Sequence, residues 1–167
     1  MTLRIRIASR KSNLAIRQVE ILKEHLSKDI EINIIEVVTS GDKTLDKSLA
    51  DIGGKGLFIK ELENTILKDG ADIAVHSMKD METELAANTK IAGVLPRGSR
   101  SEVLLGKYAT FDDLPDGAVI GTSSVRRGAF AKSYRPDLQI KLLRGNVGTR
   151  IDKLNNGFFD AIILAKA

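Results

Sequence analysis

Residues 3–8 alternate apolar and basic side chains, the period-2 pattern of a half-buried strand. The polar group at 9–12 then turns into a helix carrying Leu14, Val19, Leu22 and Leu26. A second strand, rich in Ile and Val, is predicted over 31–39, followed by a long polar loop over 39–51. Gly53, Gly54 and Gly56 precede a helix with Phe58, Leu62 and Ile66 at i, i+4 spacing, ended by Gly70. A short buried strand over 72–76 closes this first run. The segment Pro96-Arg97-Gly98-Ser99-Arg100-Ser101 is polar and flexible in composition and marks a boundary. The pattern then restarts, with strands over 102–105, 119–121, 138–143 and 160–165 and helices over 124–134 and 147–155.

Strands that alternate with helices predict an α/β fold with mainly parallel sheets. The expected organisation is a first domain over 1–95, a hinge over 96–101 and a second domain over 102–167. The second domain ends on the apolar strand Ala161-Ile162-Ile163-Leu164-Ala165, with little to cover both faces of its sheet. The sequence is therefore expected to need a complementing C-terminal segment.

Composition supports a folded chain, because 43% of its 167 residues are hydrophobic and 29% charged. No apolar run reaches about 18 residues and no signal-like start is present, so no membrane partner is expected and the location is read as cytoplasmic. The absence of Cys excludes disulfides, thiolate metal sites and thiol attachment of a cofactor to this chain. His25 and His76 are the only histidines, without ligand-like spacing, so no metal is expected.

Charge changes the picture more. Residues 1–96 hold 14 Lys/Arg against 15 Asp/Glu, whereas residues 97–167 hold 12 against 7. Between Gly121 and Arg150 lie Arg126, Arg127, Lys132, Arg135, Lys141, Arg144 and Arg150, with Asp137 the sole acid. Such a field attracts anions.

Gly121-Thr122-Ser123-Ser124-Val125-Arg126-Arg127 places hydroxyls and guanidinium groups where a strand becomes a helix, a geometry that suits carboxylate or phosphate. A plain Ser N-cap with surface Arg explains the same residues. Arg144-Gly145-Asn146-Val147-Gly148-Thr149-Arg150 repeats the arrangement at the next such turn. In open α/β sheets ligands bind at strand carboxyl ends, so Ser124, Arg126, Arg127, Arg144 and Arg150 are candidates to meet one multiply charged anion. Gly53-Gly54-Lys55-Gly56 lacks nucleotide P-loop spacing, leaving Lys55 as either a cation aimed at a ligand or a solvated side chain. Ser77, Lys79 and Asp80 leave a buried strand beside His76. They are candidates for catalysis, or else a surface charge pair beside a near-core histidine. Arg10 and Ser12, after the first strand, are placed alike.

Ile7-Ala8-Ser9-Arg10-Lys11-Ser12-Asn13-Leu14-Ala15, the glycine loop with Leu57-Phe58, Ala71 to Asp80, Gly121 to Arg127 and Leu142 to Arg150 together resemble the porphobilinogen deaminase family. The motifs occur in the family's order and span the chain. The resemblance implies a type II periplasmic-binding-protein-like fold, with two α/β domains around a cleft and a third domain absent here. On this basis the first domain lacks a return strand and the second is partial. It further implies a transferase that polymerises porphobilinogen into the linear tetrapyrrole hydroxymethylbilane with release of ammonia, in haem biosynthesis.

The implied cofactor is dipyrromethane, held through a Cys that this chain lacks, so the stretch alone is expected to be inactive. Asp80, with Lys79, is implied to act on the pyrrole nitrogens and the charge that develops as ammonia leaves. Arg10, Ser12, Lys55, Ser77, Thr122, Ser123, Ser124, Arg126, Arg127, Arg144 and Arg150 are implied to hold the carboxylates of cofactor and substrate. Two departures stand out. Met81-Glu82 replaces the family's usual Val-Pro, so a less rigid or differently placed loop is expected, and Ser99-Arg100-Ser101-Glu102 replaces a more acidic stretch ending in Arg-Asp. A non-catalytic binding module for a small organic polyanion is the alternative function. Nucleic-acid binding ranks last, because the basic block carries only Phe130 and Tyr134 as aromatics.

Overall fold

The computed structural model describes residues 2–43, 56 and 58–166. The chain divides into two compact units, Met1–Leu95 and Pro96–Ala167.

The first unit is built on a three-stranded parallel sheet of order β2-β1-β3, with β1 at Leu3–Arg10, β2 at Ile30–Val37 and β3 at Ile73–Ala74. Being central, β1 buries Ile7 and Ala8 completely. Helix α1 (Asn13–Glu24) starts because the Ser12 hydroxyl accepts the Ala15 N–H at 3.3 Å, and its buried positions Ala15 and Val19 lie one turn apart. A one-turn helix α2 (Ser40–Lys43) is held by the Glu61 carboxylate, which accepts both the N–H and the hydroxyl of Ser40.

Helix α3 (Lys60–Leu67) buries Leu62 against Ala8 and Ala71, with Ile35, Val37, Ile66 and Ala74 around them. Strand β3 is shorter than the five residues predicted, because only Ile73 and Ala74 pair with β1 before the chain leaves the sheet. The return into β3 is fastened by Asp72, whose carboxylate accepts the Arg6 N–H at 2.7 Å and the Arg6 guanidinium at 2.8 Å.

The second unit holds a four-stranded sheet of order β4-β7-β5-β6, with β4 at Glu102–Gly106, β5 at Val119–Thr122, β6 at Gln139–Leu142 and β7 at Ala161–Ala165. Strand β7 runs parallel to β5, and β5 parallel to β6, but β4 pairs with β7 antiparallel. The apolar run of β7 serves both faces of the sheet. Ala161 and Ile163 join Leu114, Ala118, Ile120, Ala131 and Leu138 on one side, and Ile162 and Leu164 join Leu143 and Phe159 on the other.

Helix α4 (Val125–Tyr134) lies close to the sheet through Gly128, where an added Cβ would stand 3.0 Å from Ile140 Cγ2. Helix α5 (Val147–Asn155) begins where the Asn146 side chain accepts the Thr149 N–H at 2.9 Å.

Candidate functional site

In the first unit the parallel pairing Ile7↔Ile73 and Ala8↔Ala74 brings the carboxyl ends of β1 and β3 to one sheet edge. Arg10 ends β1 there, and Val75, His76 and Ser77 follow β3 into a single 3-10 turn, Met78–Asp80. The Gln18 amide of α1 donates to the Ser77 hydroxyl at 2.5 Å, which fixes Ser77 beside the first helix.

The Arg10 guanidinium stands 4.3 Å from the centre of the Phe58 ring, a cation–π stack that ties β1 to the start of α3. His76 is half-buried, and burial pushes its imidazole below the ordinary value. Glu63 and Asp80 pull it up, and Arg10 presses it down. The carboxylate of Asp80 and the guanidinium of Arg10 thus both act on His76. Lys79 and Asp80 are exposed. Ser12 is engaged as the α1 cap, and Lys55 lies outside the described residues.

In the second unit β5 and β6 end side by side, and each leads into a helix. The hydroxyls of the first turn are engaged locally. Thr122, buried, accepts the Ser124 N–H at 3.1 Å, and Ser124 caps α4 by accepting the Arg127 N–H at 3.4 Å. Ser123 is half-buried between them.

The cations separate into two groups. Arg126 is exposed. Arg127, Arg144 and Arg150 form the other group: burial lowers the affinity of the Arg150 guanidinium for its proton, and the positive charges of Arg144 and Arg127 lower it further. Arg144 is 5% exposed. Arg150 Nε donates to the Gly145 carbonyl at 2.8 Å, across a turn in which Gly145 has φ of 114°, a conformation that disfavours a side chain. Arg127 Nη2 meets Glu102 Oε2 at 2.6 Å.

Three contacts escaped the reading of the sequence. Gln18 shows no local signal, since its partner lies 59 residues away. Glu102 reaches Arg127 only because of the sheet order. Glu82 accepts the Gly56 N–H, a partner 26 residues away in the sequence. Among the described residues no group of three or more His, Asp or Glu is placed to hold a metal ion, and no helix is long and apolar enough to cross a membrane.

In each unit a sheet with helices packed on it collects polar and charged groups at strand carboxyl ends, which defines an α/β protein. Residues 5–167 match the family model described as "Porphobilinogen deaminase, dipyromethane cofactor binding domain". The chain belongs to the porphobilinogen deaminase family. It is 47% identical over 168 residues to porphobilinogen deaminase of Maridesulfovibrio salexigens, covering 98% of this chain and 54% of that protein. It is also 47% identical over 165 residues to porphobilinogen deaminase of Buchnera aphidicola subsp. Acyrthosiphon pisum, covering 96% and 52%. The chain thus spans about half the length of these curated relatives. Among solved structures, the periplasmic domain of B. pertussis BvgS matches with a TM-score of 0.47 at 14% identity, over 98% of this chain and 30% of that one.

Proposed function

We propose that this chain is the cofactor- and substrate-binding part of a cytoplasmic transferase. The full-length protein polymerises porphobilinogen into hydroxymethylbilane and releases ammonia. The observation that carries the proposal is the gathering of Arg127, Arg144 and Arg150 at the shared carboxyl end of β5 and β6. A guanidinium whose proton is weakened by two like charges is relieved by a bound anion, and each pyrrole of porphobilinogen brings two carboxylates.

The dipyrromethane cofactor fits the same donors, since its acetate and propionate groups ask for several cations. Arg126, Arg127, Arg144 and Arg150 would hold them, with Thr122, Ser123 and Ser124 as hydroxyl partners. When bound, dipyrromethane supplies the pyrrole end from which the product is extended. Its thioether cannot form within this sequence, which has no Cys. A complementing C-terminal part must provide it, and this chain alone makes no product.

In the first unit, Arg10, Ser12, Lys55, Ser77 and Lys79 are assigned to substrate carboxylates. Asp80 is assigned to the pyrrole N–H groups and to the positive charge that grows as the C–N bond to ammonia breaks. A fixed carboxylate that meets charge developing in the transition state accelerates the step without tightening ground-state binding. Residues 96–101 are assigned as the hinge between the two domains.

In the full-length protein, Asp80→Asn is expected to fold and load cofactor normally while the single-turnover condensation rate falls at least about 10²-fold. A near-normal rate would transfer the charge stabilisation to another group. The second reading, a non-catalytic polyanion binder, is served by the same three Arg. Failure of the full-length protein to convert porphobilinogen would favour it.

A further inference from the structure

Strand β4 is antiparallel to β7, whereas β7 runs parallel to β5 and β5 to β6. The first residue of β4 therefore lies at the edge where the other three strands end. Glu102 pairs in register with Ala165, the last residue of β7, and the backbone contact continues one step further, from the Lys166 N–H to the Ser101 carbonyl at 3.0 Å. From this edge the Glu102 carboxylate reaches Arg127 Nη2 at 2.6 Å, in the first turn of α4. The Arg127 side chain is 20% exposed and the Glu102 side chain 50% exposed, so the acid stands on the solvent side of the pair.

We infer that Glu102 is a specificity-determining residue, an internal carboxylate that occupies Arg127 until a ligand carboxylate displaces it. The inference rests on the assignment of Arg127, Arg144 and Arg150 as a carboxylate site. An ion pair whose acid is half exposed contributes only modestly to folding, because solvent screens it and its side chains lose entropy in forming it. Its effect on an incoming anion is larger. The acid fills one guanidinium and places a like charge beside the site, and like-charge juxtaposition is how interfaces reject ligands. A ligand with one carboxylate exchanges one ion pair for another and gains nothing at Arg127. A ligand with several carboxylates keeps its remaining contacts during the exchange. Glu102 thus favours polycarboxylates and keeps each carboxylate exchangeable, as a product lengthened unit by unit requires.

The test uses citrate and acetate as probes on full-length protein free of cofactor, at constant ionic strength, by calorimetry. Glu102→Gln keeps the shape and removes the charge. It is expected to tighten citrate binding about tenfold, the effect of one ionic contact of about 1.4 kcal/mol, and to bring acetate binding into range. Glu102→Ser, which also removes the reach, should tighten citrate binding as well, and Glu102→Asp should stay near wild type. Unchanged or weaker citrate binding in both uncharged variants, with the parent binding citrate, overturns the role of Glu102 alone. If neither the parent nor the variants bind citrate, and Arg127→Gln changes nothing, the carboxylate-site assignment fails and the inference fails with it.

Discussion

The carboxylate of Glu82 accepts the backbone N–H of Gly56, 26 residues earlier, and so fastens the segment behind Asp80 to the turn that opens α3. Gly56 has φ of 68° and its carbonyl accepts from Ile59 and Lys60 at 3.1 and 3.0 Å, so this one residue joins the turn on both sides. A proline at position 82 would offer no side-chain acceptor. Glu82→Ala is expected to raise the hydrogen-exchange rate of the Gly56 amide about tenfold or more, whereas Glu82→Gln, which retains a carbonyl acceptor, should stay closer to wild type. Equal exchange in all three proteins would show that the contact does not hold the turn.

Neighbouring residues Arg126 and Arg127 are expected to differ. Arg126 is exposed, while Arg127 is largely covered and paired with Glu102. Arg126→Gln should leave thermal stability within about 0.5 kcal/mol of wild type, and Arg127→Gln should cost about 0.5–1 kcal/mol. Denaturant melts of the two single variants and of Arg127→Gln/Glu102→Gln decide the matter. If the pair is real, the double variant loses less than the sum of the single losses.

Gly121 marks a close approach of β5 to its cover. A Cβ there would stand 2.8 Å from Phe159 Cδ1 and 3.0 Å from Ile162 Cγ2, inside a core that includes both residues. Gly121→Ala should therefore overpack the sheet and cost about 1–3 kcal/mol. A melting temperature equal to wild type would mean that Phe159 rotates away freely.

His76 sets a pH dependence with a defined sign. Burial lowers its folded-state pKa, so the native protein prefers the neutral ring. The unfolded chain, with an ordinary value of about 6.5, binds the proton first as pH falls. The stability contributed by neutral His76 is thus complete above about pH 6.5 and declines below it, toward the folded-state value. NMR titration should place the His76 midpoint below the ordinary value of about 6.5. Glu63→Gln, which removes an upward influence, should lower the His76 midpoint further. A midpoint at or above the ordinary value would refute this picture.

Much of the framework was legible from the sequence for physical reasons. The apolar run Ala161–Ala165 is the interior strand β7, and a strand buried on both faces has no polar alternation to interrupt it. A Ser N-cap was the plainer of the two readings of the hydroxyls before α4, and Ser124 accepts the Arg127 amide as such a cap does. Two strand-to-helix turns at adjacent strand ends led to an expected convergence of Ser124, Arg126, Arg127, Arg144 and Arg150, of which Arg127 and Arg144 act on Arg150 while Arg126 is exposed.

The rest depended on information that periodicity does not contain. An alternating pattern has no direction, so the antiparallel course of β4 could not be read from residues 102–105. The pairing of Glu102 with Arg127 was hidden for the same reason. The Gln18 to Ser77 contact joins a helix face to a strand end through tertiary placement alone. At 72–76 the apolar run was longer than the pairing, since a half-buried edge strand ends where its neighbour's hydrogen bonds end.

The order β4-β7-β5-β6 also constrains how the chain is made. Residues 102–106 emerge from the ribosome well before residues 161–165, and the latter form the strand beside which they lie. During that interval Val103, Leu104 and Leu105 have no sheet to join, and β5 and β6 can pair with each other but have nothing on the side that β7 will fill. Strand β7, the latest of these four to be made, is inserted between two earlier ones, and it converts an open apolar edge into the interior of the sheet. Synthesis therefore passes through a stage in which the nascent second unit offers an unpaired strand and an unpaired edge, the kind of surface that chaperones hold and aggregates recruit.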